Sequence, residues 1–192
     1  MPSTTRPYHH GDLRRAVLAA AVAAIPEVGP AGLSLRDLAR RAGVSHAAPA
    51  HHFGDKAGLL TAVAVEGYEL LAEALTDAQQ RTDDFHEVGV AYVRFAVEHR
   101  AHFEVMFRPD LYHRDDPDLL VAQERTGAAL YAGAGSVPTG QRGADVRVAG
   151  IAAWSLVHGF ASLWLNGALP PDVGEDPEAA ARAVAGMLFR ES

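Results

Sequence analysis

The chain contains no cysteine. Disulfide bonds, thiolate nucleophiles and cysteine-based zinc sites are therefore excluded, and a reducing cytosol is a compatible environment. The sequence also has no recognisable nucleophile with its base, no phosphate-binding glycine loop and no HExxH motif, so we expect no catalytic residues, metal or cofactor. It has no signal-peptide pattern at its start and no pattern typical of strands. These absences favour an all-α, cytoplasmic protein that is not an enzyme.

Positive charge is scarce over most of the chain. The 192 residues have a net charge of −7, which argues against a general nucleic-acid binder. The distribution reverses this impression, because residues 1–60 hold seven Lys/Arg and four acids, a net charge of +3, whereas the remainder carries −10. A small basic head on an acidic body would confine the attraction for phosphates to one end. Ordinary charge scatter also produces asymmetry of this size, so the argument needs a motif beside it.

Residues 34–53 have the pattern of a helix-turn-helix. Ser34 and Asp37 have the spacing of a capping box, which predicts the start of a helix. One apolar face follows at Leu35, Leu38, Ala39 and Ala42. Gly43 is suited to the left-handed conformation that ends a helix. Two helices joined by a short turn with glycine are the geometry that brings the second helix into a DNA major groove.

The second helix of this motif is predicted over residues 46–52, with Ser45 as its cap. Pro49 lies within that span. Proline lacks a backbone donor and is tolerated only in a first turn. The helix therefore either begins slightly later or kinks at this position.

Helical periodicity predicts the remaining elements. Helices are expected over 11–28, 56–80, 85–100, 117–131, 144–169 and from 177 to 189 or 190, with an aromatic segment at 103–107 and a Gly/Pro-rich loop at 133–143. Asp55 is the expected cap of the helix over 56–80. That helix would be about 37 Å long, enough to connect two domains. We expect about nine helical elements, divided into a helix-turn-helix domain at 11–71 and a C-terminal domain at 72–192.

The longest uncharged run covers residues 148–169, which is long enough for a membrane span. It nonetheless contains His158, Asn166, two serines and internal glycines, and no basic flank follows it. A helix that is apolar all round is otherwise buried in a large core or in an interface. We therefore favour a buried helix that meets its own domain on one face and a second copy on the other. The expected interface residues are Trp164, Ala181, Val184, Met187 and Leu188.

With these elements in order, the chain resembles the TetR family of one-component transcriptional regulators. The resemblance covers about residues 8–71 and rests on Tyr8-His9-His10-Gly11-Asp12-Leu13-Arg14, on Ser34 to Ala39, on Ala42 to Ser45, and on His52-Phe53-x-x-Lys56-x-x-Leu59-Leu60. A shorter match, Trp154-Ser-Leu-Val-His158-Gly159, is similar to one branch of the family. The resemblance implies three DNA-binding helices, a dimerising body, and a repressor that leaves a palindromic operator when a small molecule binds.

The resemblance and the helix-turn-helix together assign candidate DNA contacts. Small side chains at Ser45 and Ala47 would approach the base edges, and two histidines would donate to bases or phosphates. Ser34, Arg36 and Lys56 would contact phosphates. The family usually has a tyrosine at the position of Ala50, and neighbouring histidines would partly replace it. The full set is Ser34, Arg36, Ser45, His46, Ala47, His51, His52 and Lys56.

The body is rich in aromatic residues, which by themselves are typical of a core. A ligand-responsive protein also needs a pocket, and pockets between bundled helices are largely apolar with few polar groups. The expected ligand is an unidentified small hydrophobic or amphipathic molecule. The candidate lining consists of Tyr92, Phe95, Phe103, Phe107, Trp154 and His158.

Two other classes of protein stay open at this point. A helical metalloenzyme would use His99 and His102, which share a helix face, but a third ligand is not evident in the sequence. A helical membrane protein would use the uncharged run. The sequence favours the DNA-binding regulator over both.

Overall fold

The computed structural model describes residues 10–132 and 145–188. Within these ranges the chain forms nine α-helices and two single 3-10 turns, with no strand, so the expected all-α class is confirmed. The helices are α1 His10–Val28, α2 Leu35–Arg41, α3 Ala48–Phe53, α4 Lys56–Thr82, α5 Phe85–Glu98, α6 Arg100–Met106, α7 Pro117–Tyr131, α8 Val146–Leu165 and α9 Pro177–Ala185, with 3-10 turns at Pro171–Val173 and Gly186–Leu188.

Two boundaries differ from the sequence prediction. The predicted helix over 85–100 ends at Glu98, and the aromatic segment after it is a separate helix, α6, because His99 leaves helical geometry with φ −114° and ψ 41°. The predicted helix over 144–169 ends at Leu165, well before the prolines. Gly167 there adopts φ 63°, the left-handed conformation that ends a helix.

The N-terminal head consists of α1, α2 and α3. Leu38 and Ala39 of α2 are buried against α1, whose Val17, Ala21 and Ile25 have no exposed surface. Lys56, at the start of α4, donates from Nζ to the carbonyl oxygen of Ala31 at 2.8 Å. This bond ties the α1–α2 connection to the helix that leaves the head.

Helix α4 connects the head to the body. At about 1.5 Å per residue its 27 residues span roughly 40 Å. Asp55 caps it, accepting from Gly58 N at 2.7 Å, as the sequence predicts. Its buried face runs from Leu59 to Ala78 and packs on α3, α5, α6 and α7. The predicted domain boundary after residue 71 falls inside this helix, and buried residues on both sides of that position belong to one hydrophobic cluster.

Helix α5 is the centre of the body. It packs on α4, α6, α8 and α9, and its Val90, Tyr92, Val93 and Ala96 have no exposed surface. Two bidentate ion pairs join it to α9. Arg94 contacts Glu178 at 2.6 Å, and Arg182 contacts Glu87 at 2.8 and 2.9 Å.

Several predictions lie outside the described residues or side chains. They are Tyr8 and His9 of the family-like stretch, the loop over 133–143, the end of the last helix at 189 or 190, and the side chain of Leu188.

Candidate DNA-binding surface and ligand cavity

The second helix of the motif begins at Ala48, not at residue 46. Pro49 explains the correction, since its missing donor confines it to a first turn, and it occupies that turn here. Ser45 therefore does not cap the helix with its side chain, and its carbonyl oxygen instead accepts from Ala48 N at 3.0 Å. Gly43 adopts φ 66°, the left-handed conformation expected for it. The turn between the helices consequently leaves residues 45–47 exposed.

The predicted capping box at the start of α2 does not form. Ser34 precedes the helix in extended conformation, but among the described contacts its hydroxyl makes no capping bond. Asp37 instead accepts from Arg40 at 2.7 Å and lies 3.6 Å from Arg41. These arginines hold the pKa of the Asp37 carboxyl below its ordinary value. The Ser34 side chain is therefore free of the helix start and exposed.

The structure places the predicted DNA contacts on one chain segment with mixed exposure. The exposed members are Ser34, Arg36, Ser45, His46, Ala47 and His51, and the half-buried members are His52 and Lys56. Lys56 already donates to the carbonyl of Ala31, so a phosphate contact from its ammonium would have to share or replace that bond. The exposed set offers small groups and imidazoles near the start of α3.

Phe53 fixes the end of α3 against α1. The guanidinium of Arg14 lies 5.4 Å from the centre of the Phe53 ring, within the range of a cation–π contact. The ring of His52 meets Phe53 edge-on at 6.5 Å, and that of His51 meets His52 at 5.3 Å. Edge-to-face ring contacts thus connect the two histidines of α3 to Phe53.

Arg40 and Arg41 belong to surface ion pairs. Arg41 contacts Glu27 of α1 at 2.8 Å, and the hydrogen bond between them lowers the pKa of the Glu27 carboxyl. Arg40 is paired with Asp37. Both arginines therefore take part in ion pairs on an exposed face of the head.

A cavity of about 240 Å³ lies in the body between α4, α5, α7 and α8. Among the described residues its lining is formed by Tyr68, Leu71, Tyr92, Phe107, Gln123, Thr126, Gly127, Leu130, Tyr131 and Trp154. Three of the six predicted lining residues, Tyr92, Phe107 and Trp154, are among them.

The other three predicted residues lie behind this lining. Phe103 and His158 belong to the same ring cluster, with the His158 ring 4.5 Å from Phe107 and 5.3 Å from Phe103. Phe95 is buried and stacks on His99 at 5.1 Å. The sequence thus identifies one wall of the cavity and the residues packed behind that wall.

The opposite wall, from α4 and α7, was not predicted. Thr126 is 6% exposed, and its hydroxyl lies 2.7 Å from the carbonyl oxygen of Tyr68 and 2.9 Å from that of Ala122. A threonine followed by Gly127 on the buried face of a helix is the one signal that could have pointed to this wall. The aromatic residues elsewhere gave a stronger pattern.

An uncharged hydrogen-bonded network borders the cavity. Trp154 Nε1 donates to the Tyr92 hydroxyl at 3.2 Å, and that hydroxyl lies 2.9 Å from His158 Nδ1. Burial raises the pKa of Tyr92 and lowers the pKa of His158. Both shifts favour the neutral forms, so the network carries no charge at neutral pH.

Two tyrosines connect the cavity to the end of α6. The hydroxyls of Tyr68 and Tyr112 both donate to the carbonyl oxygen of Met106, at 3.0 and 2.9 Å. Carbonyl groups in the last turn of a helix have no partner inside the helix, so these bonds fix the end of α6. Helix α6 also packs on α1. Tyr68 is therefore bonded to a helix that contacts the head.

The two histidines proposed for a metalloenzyme do not form a metal site among the described residues. His102 is buried and lies 3.1 Å from Glu66, while His99 stacks on Phe95, and burial lowers the pKa of His99. Among the described residues, the side chains close enough together to hold a metal ion are those of Asp84, His86 and Glu87. These residues cap α5 and bind Arg182. The structure gives no support to the metalloenzyme alternative.

One face of α8 is apolar and open to solvent. Within the described residues α8 is the one helix long and apolar enough to cross a membrane, and 33% of its most apolar window is buried. Ala153, Val157 and Phe160 face the core, whereas Val148 and Ile151 are 61% and 42% exposed. The prediction of burial against the chain's own domain is confirmed for one face, and the predicted contact of the other face with a second copy stays a prediction.

The predicted interface residues divide in the same way. Met187 is exposed, Trp164 and Val184 are half-buried, and Ala181 is 2% exposed. Ala181 is a correction, since it packs on the chain's own core and has no surface for a second copy. The exposed residues of α8 were not predicted individually, because they share the apolar character of the buried ones.

A helix-turn-helix head joined through one helix to a body with an apolar cavity defines a ligand-responsive, DNA-binding transcriptional regulator. Residues 17–63 match the family described as bacterial regulatory proteins, tetR family, and residues 85–188 match the tetracyclin repressor-like C-terminal domain. The second match covers more than half of the chain. The chain therefore belongs to the TetR family, as its sequence motifs predict.

Solved structures agree with this membership. A protein of unknown function from Rhodococcus sp. RHA1 is 33% identical, with 96% of this chain and 97% of that chain covered and a TM-score of 0.76. The TetR family transcriptional regulator PfmR from Thermus thermophilus is 25% identical, with 90% and 96% covered and a TM-score of 0.69. AibR, solved with isovaleryl coenzyme A and operator DNA, shares the fold at 21% identity, with 92% and 98% covered and a TM-score of 0.65. No curated protein matches the chain.

Proposed function

We propose that this regulator is a cytoplasmic, non-enzymatic homodimer that represses transcription from a palindromic operator and releases it when a small molecule enters the body. The observation that carries the proposal is the extent of α4. Its first residue, Lys56, is bonded to the head, and its Tyr68 and Leu71 line the cavity. One helix therefore borders both the DNA-binding surface and the ligand site.

The DNA-binding surface is the exposed segment that leads into α3. Ala47 precedes Ala48, where the helix begins, so its methyl group would reach a thymine methyl while Ser45 approaches a base edge. His46 and His51 would donate to bases or phosphates, with His52 and Lys56 beside the backbone. Ser34 and Arg36, at the start of α2, would fix the orientation through phosphates.

The exposed face of α8 is the proposed dimer interface, with Met187, Trp164 and Val184 beside it. A two-fold symmetric contact would pair this face with itself. Its exposed residues include Ser155, and the exposed Asn166 directly follows the helix, which favours a protein partner over a lipid environment. Pairing would hold two heads for half-sites about 34–36 Å apart, one turn of DNA.

Ligand binding would act by favouring a different spacing of the heads. A ligand that binds one spacing more tightly lowers operator affinity by the ratio of its two affinities. The bonds from Tyr68 and Tyr112 to the end of α6, and the contact of α6 with α1, support this route. The structure of AibR with an acyl-coenzyme A and operator DNA supports a small-molecule effector in this fold.

The experiment is selection of operator DNA by the purified protein from random duplexes, followed by fluorescence anisotropy at low salt. We expect an inverted repeat with half-sites one helical turn apart, bound by two protomers. Ala47→Glu should lose binding, and the matched control Ala128→Glu, exposed on α7, should retain it. Failure to enrich any duplex, or equal losses for both variants, would overturn the proposal.

A further inference from the structure

We propose that the body cavity selects an uncharged, planar aromatic molecule, smaller than a typical drug, and holds it by a hydrogen bond to the side-chain amide of Gln123. The inference rests on the proposed ligand response and names the chemical class of the ligand. Three properties of the described lining carry it: its charge, its rings and its free hydrogen-bonding capacity.

The described lining carries no charged side chain. Its polar members are tyrosines, Gln123, Thr126 and the indole of Trp154, and the network around Tyr92 is neutral. A carboxylate or phosphate placed there would lose its hydration without gaining a cation, which is strongly unfavourable. The cavity therefore selects against anions, including the phosphates of a coenzyme A ester.

Five of the ten lining residues are aromatic, and they come from separate parts of the body. Tyr68 is on α4, Tyr92 on α5, Phe107 just after α6, Tyr131 on α7 and Trp154 on α8. Aromatic rings prefer offset or edge-to-face contacts with another ring, which add to the gain from burial. A planar ring between these walls makes such contacts on several sides, whereas a flexible aliphatic chain does not.

The volume limits the size of the ligand. A cavity of about 240 Å³ is below the range of roughly 300–1,000 Å³ that is typical of drug-sized ligands. One or two fused rings with a short polar substituent fit this space.

Several hydrogen-bonding groups of the lining are already used or out of reach. The Tyr68 hydroxyl donates to Met106, and the single hydroxyl proton of Thr126 faces two carbonyl oxygens. The Tyr92 hydroxyl, bonded to Trp154 and His158, has no exposed surface. The amide of the half-buried Gln123 has two donors and an acceptor oxygen, and its described contact is with Tyr68, so it has capacity left for a ligand.

The test uses three probes with one bicyclic skeleton: naphthalene-2-carboxamide, naphthalene-2-carboxylate and decahydronaphthalene-2-carboxamide. Isothermal titration of the full chain should show binding of the aromatic amide, with the carboxylate at least about 30-fold weaker and the saturated amide roughly 3- to 10-fold weaker. Equal affinity of the carboxylate or of the saturated amide overturns the proposal. So does failure of all three probes to bind.

Two variants locate the binding. A Cβ built at Gly127 meets no atom within 4 Å, so Gly127→Leu should occupy the cavity and weaken amide binding at least about 10-fold, whereas Ala128→Leu, its exposed neighbour, should not. Gln123→Leu should weaken binding of naphthalene-2-carboxamide roughly 3- to 10-fold through one lost hydrogen bond. The same variant should leave the affinity for unsubstituted naphthalene unchanged, whereas a general disturbance of the cavity would lower both affinities.

Operator binding by the unliganded wild type distinguishes failure of the proposed ligand class from failure of the proposed function. Intact operator binding with the wrong order of probes refutes the ligand class alone. Loss of operator binding refutes the proposed function, whatever the probes do.

Discussion

The head and the body of this protein differ in the polar interactions near their candidate binding sites. Next to the candidate DNA contacts, the head has surface ion pairs, such as Arg41 with Glu27 and Arg40 with Asp37. The body has surface ion pairs between α5 and α9, but beside its cavity it has a buried neutral network, in which Tyr92 is bonded to His158 and Trp154. Exposed pairs are weak and screened by salt, whereas a buried neutral network is costly to disturb.

The difference shows why DNA and a small molecule are recognised in different places. A surface that contacts DNA phosphates keeps its charged side chains in water, where the salt concentration changes the strength of the contacts. A cavity that has to distinguish one small molecule from another works by shape and by a few hydrogen bonds, and it excludes charge. Helix α4 belongs to both regions. Substitutions in the head and in the body should therefore show whether the two regions act separately.

The largest effect is expected from Ile151→Glu on the exposed face of α8. Two copies of this face would place the new carboxylates in an apolar interface, so we expect a monomer in sedimentation velocity. Losing the second head should weaken operator binding about 10²- to 10⁴-fold. Val121→Glu, at a residue of α7 that is 57% exposed, is the control for added charge. An Ile151→Glu protein that remains dimeric would contradict the proposed interface.

Ala47→Glu should give the next largest effect, and it should be confined to the head. A carboxylate facing DNA phosphates costs several kcal/mol, which corresponds to about 100-fold or more in operator affinity. Thermal stability and amide binding in the cavity should stay as in the wild type. Anisotropy and isothermal titration on the same preparation check both statements, and a parallel loss of amide binding would show that the two regions are not separable in this way.

Gly67→Ala should destabilise the contact between α4 and α6. A Cβ at this position would lie 2.6 Å from Met106 Sδ and 2.9 Å from His102 Cβ, so α6 must shift. Overpacking costs typically 1–3 kcal/mol, which exceeds the ~1 kcal/mol gained from helix propensity. Gly127→Ala, where the Cβ has room, should instead raise stability by about 0.5–1 kcal/mol. Urea unfolding compares them, and the same sign for both would refute this account of the α4–α6 contact.

The smallest effect concerns the ion pairs between α5 and α9. The hydrogen bonds from Arg94 lower the pKa of Glu178 below its ordinary value of 4.5. The pair therefore stabilises the fold above that ordinary pKa, and its contribution is lost as the pH falls through the lower, folded value. Because both side chains are about one-third exposed, we expect Glu178→Gln to cost only ~0.5 kcal/mol at pH 7.

The pH dependence gives the control for this variant. At a pH below the folded pKa of Glu178, the wild type and Glu178→Gln should have the same free energy of unfolding. A difference that persists there would assign the effect of the substitution to packing and not to charge.

The sequence was sufficient for local features and insufficient for those that depend on packing. The predicted bounds of α1 and α7, the cap at Asp55 and the left-handed Gly43 all follow from neighbouring residues. The late start of α3 follows from Pro49 alone, once proline is allowed only in the first turn. The capping box does not form, and the Asp37 carboxylate, which would have accepted from the backbone of Ser34, is paired with Arg40 and Arg41 instead.

The candidate sites show the same limit. Aromatic residues on α5 and α8 pointed to one wall of the cavity, but Thr126 and Gly127 face it only because α7 packs across α4. Ala181 and the exposed residues of α8 have similar apolar character, and only the packing on α5 decides which of them is buried. Periodicity identifies an apolar face without identifying what covers it.

The most direct test of the account is the distance between the two heads of one dimer. The chain has no cysteine, so the substitution Ala19→Cys, at an exposed position of α1, allows one spin label to be attached to each head. Pulsed electron–electron double resonance then measures the distance between the two labels. We predict one narrow distance distribution with operator DNA bound and a different distance with naphthalene-2-carboxamide bound. Absence of dipolar coupling, or a distance that the bound amide leaves unchanged, would contradict a paired scaffold whose cavity sets the spacing of its heads.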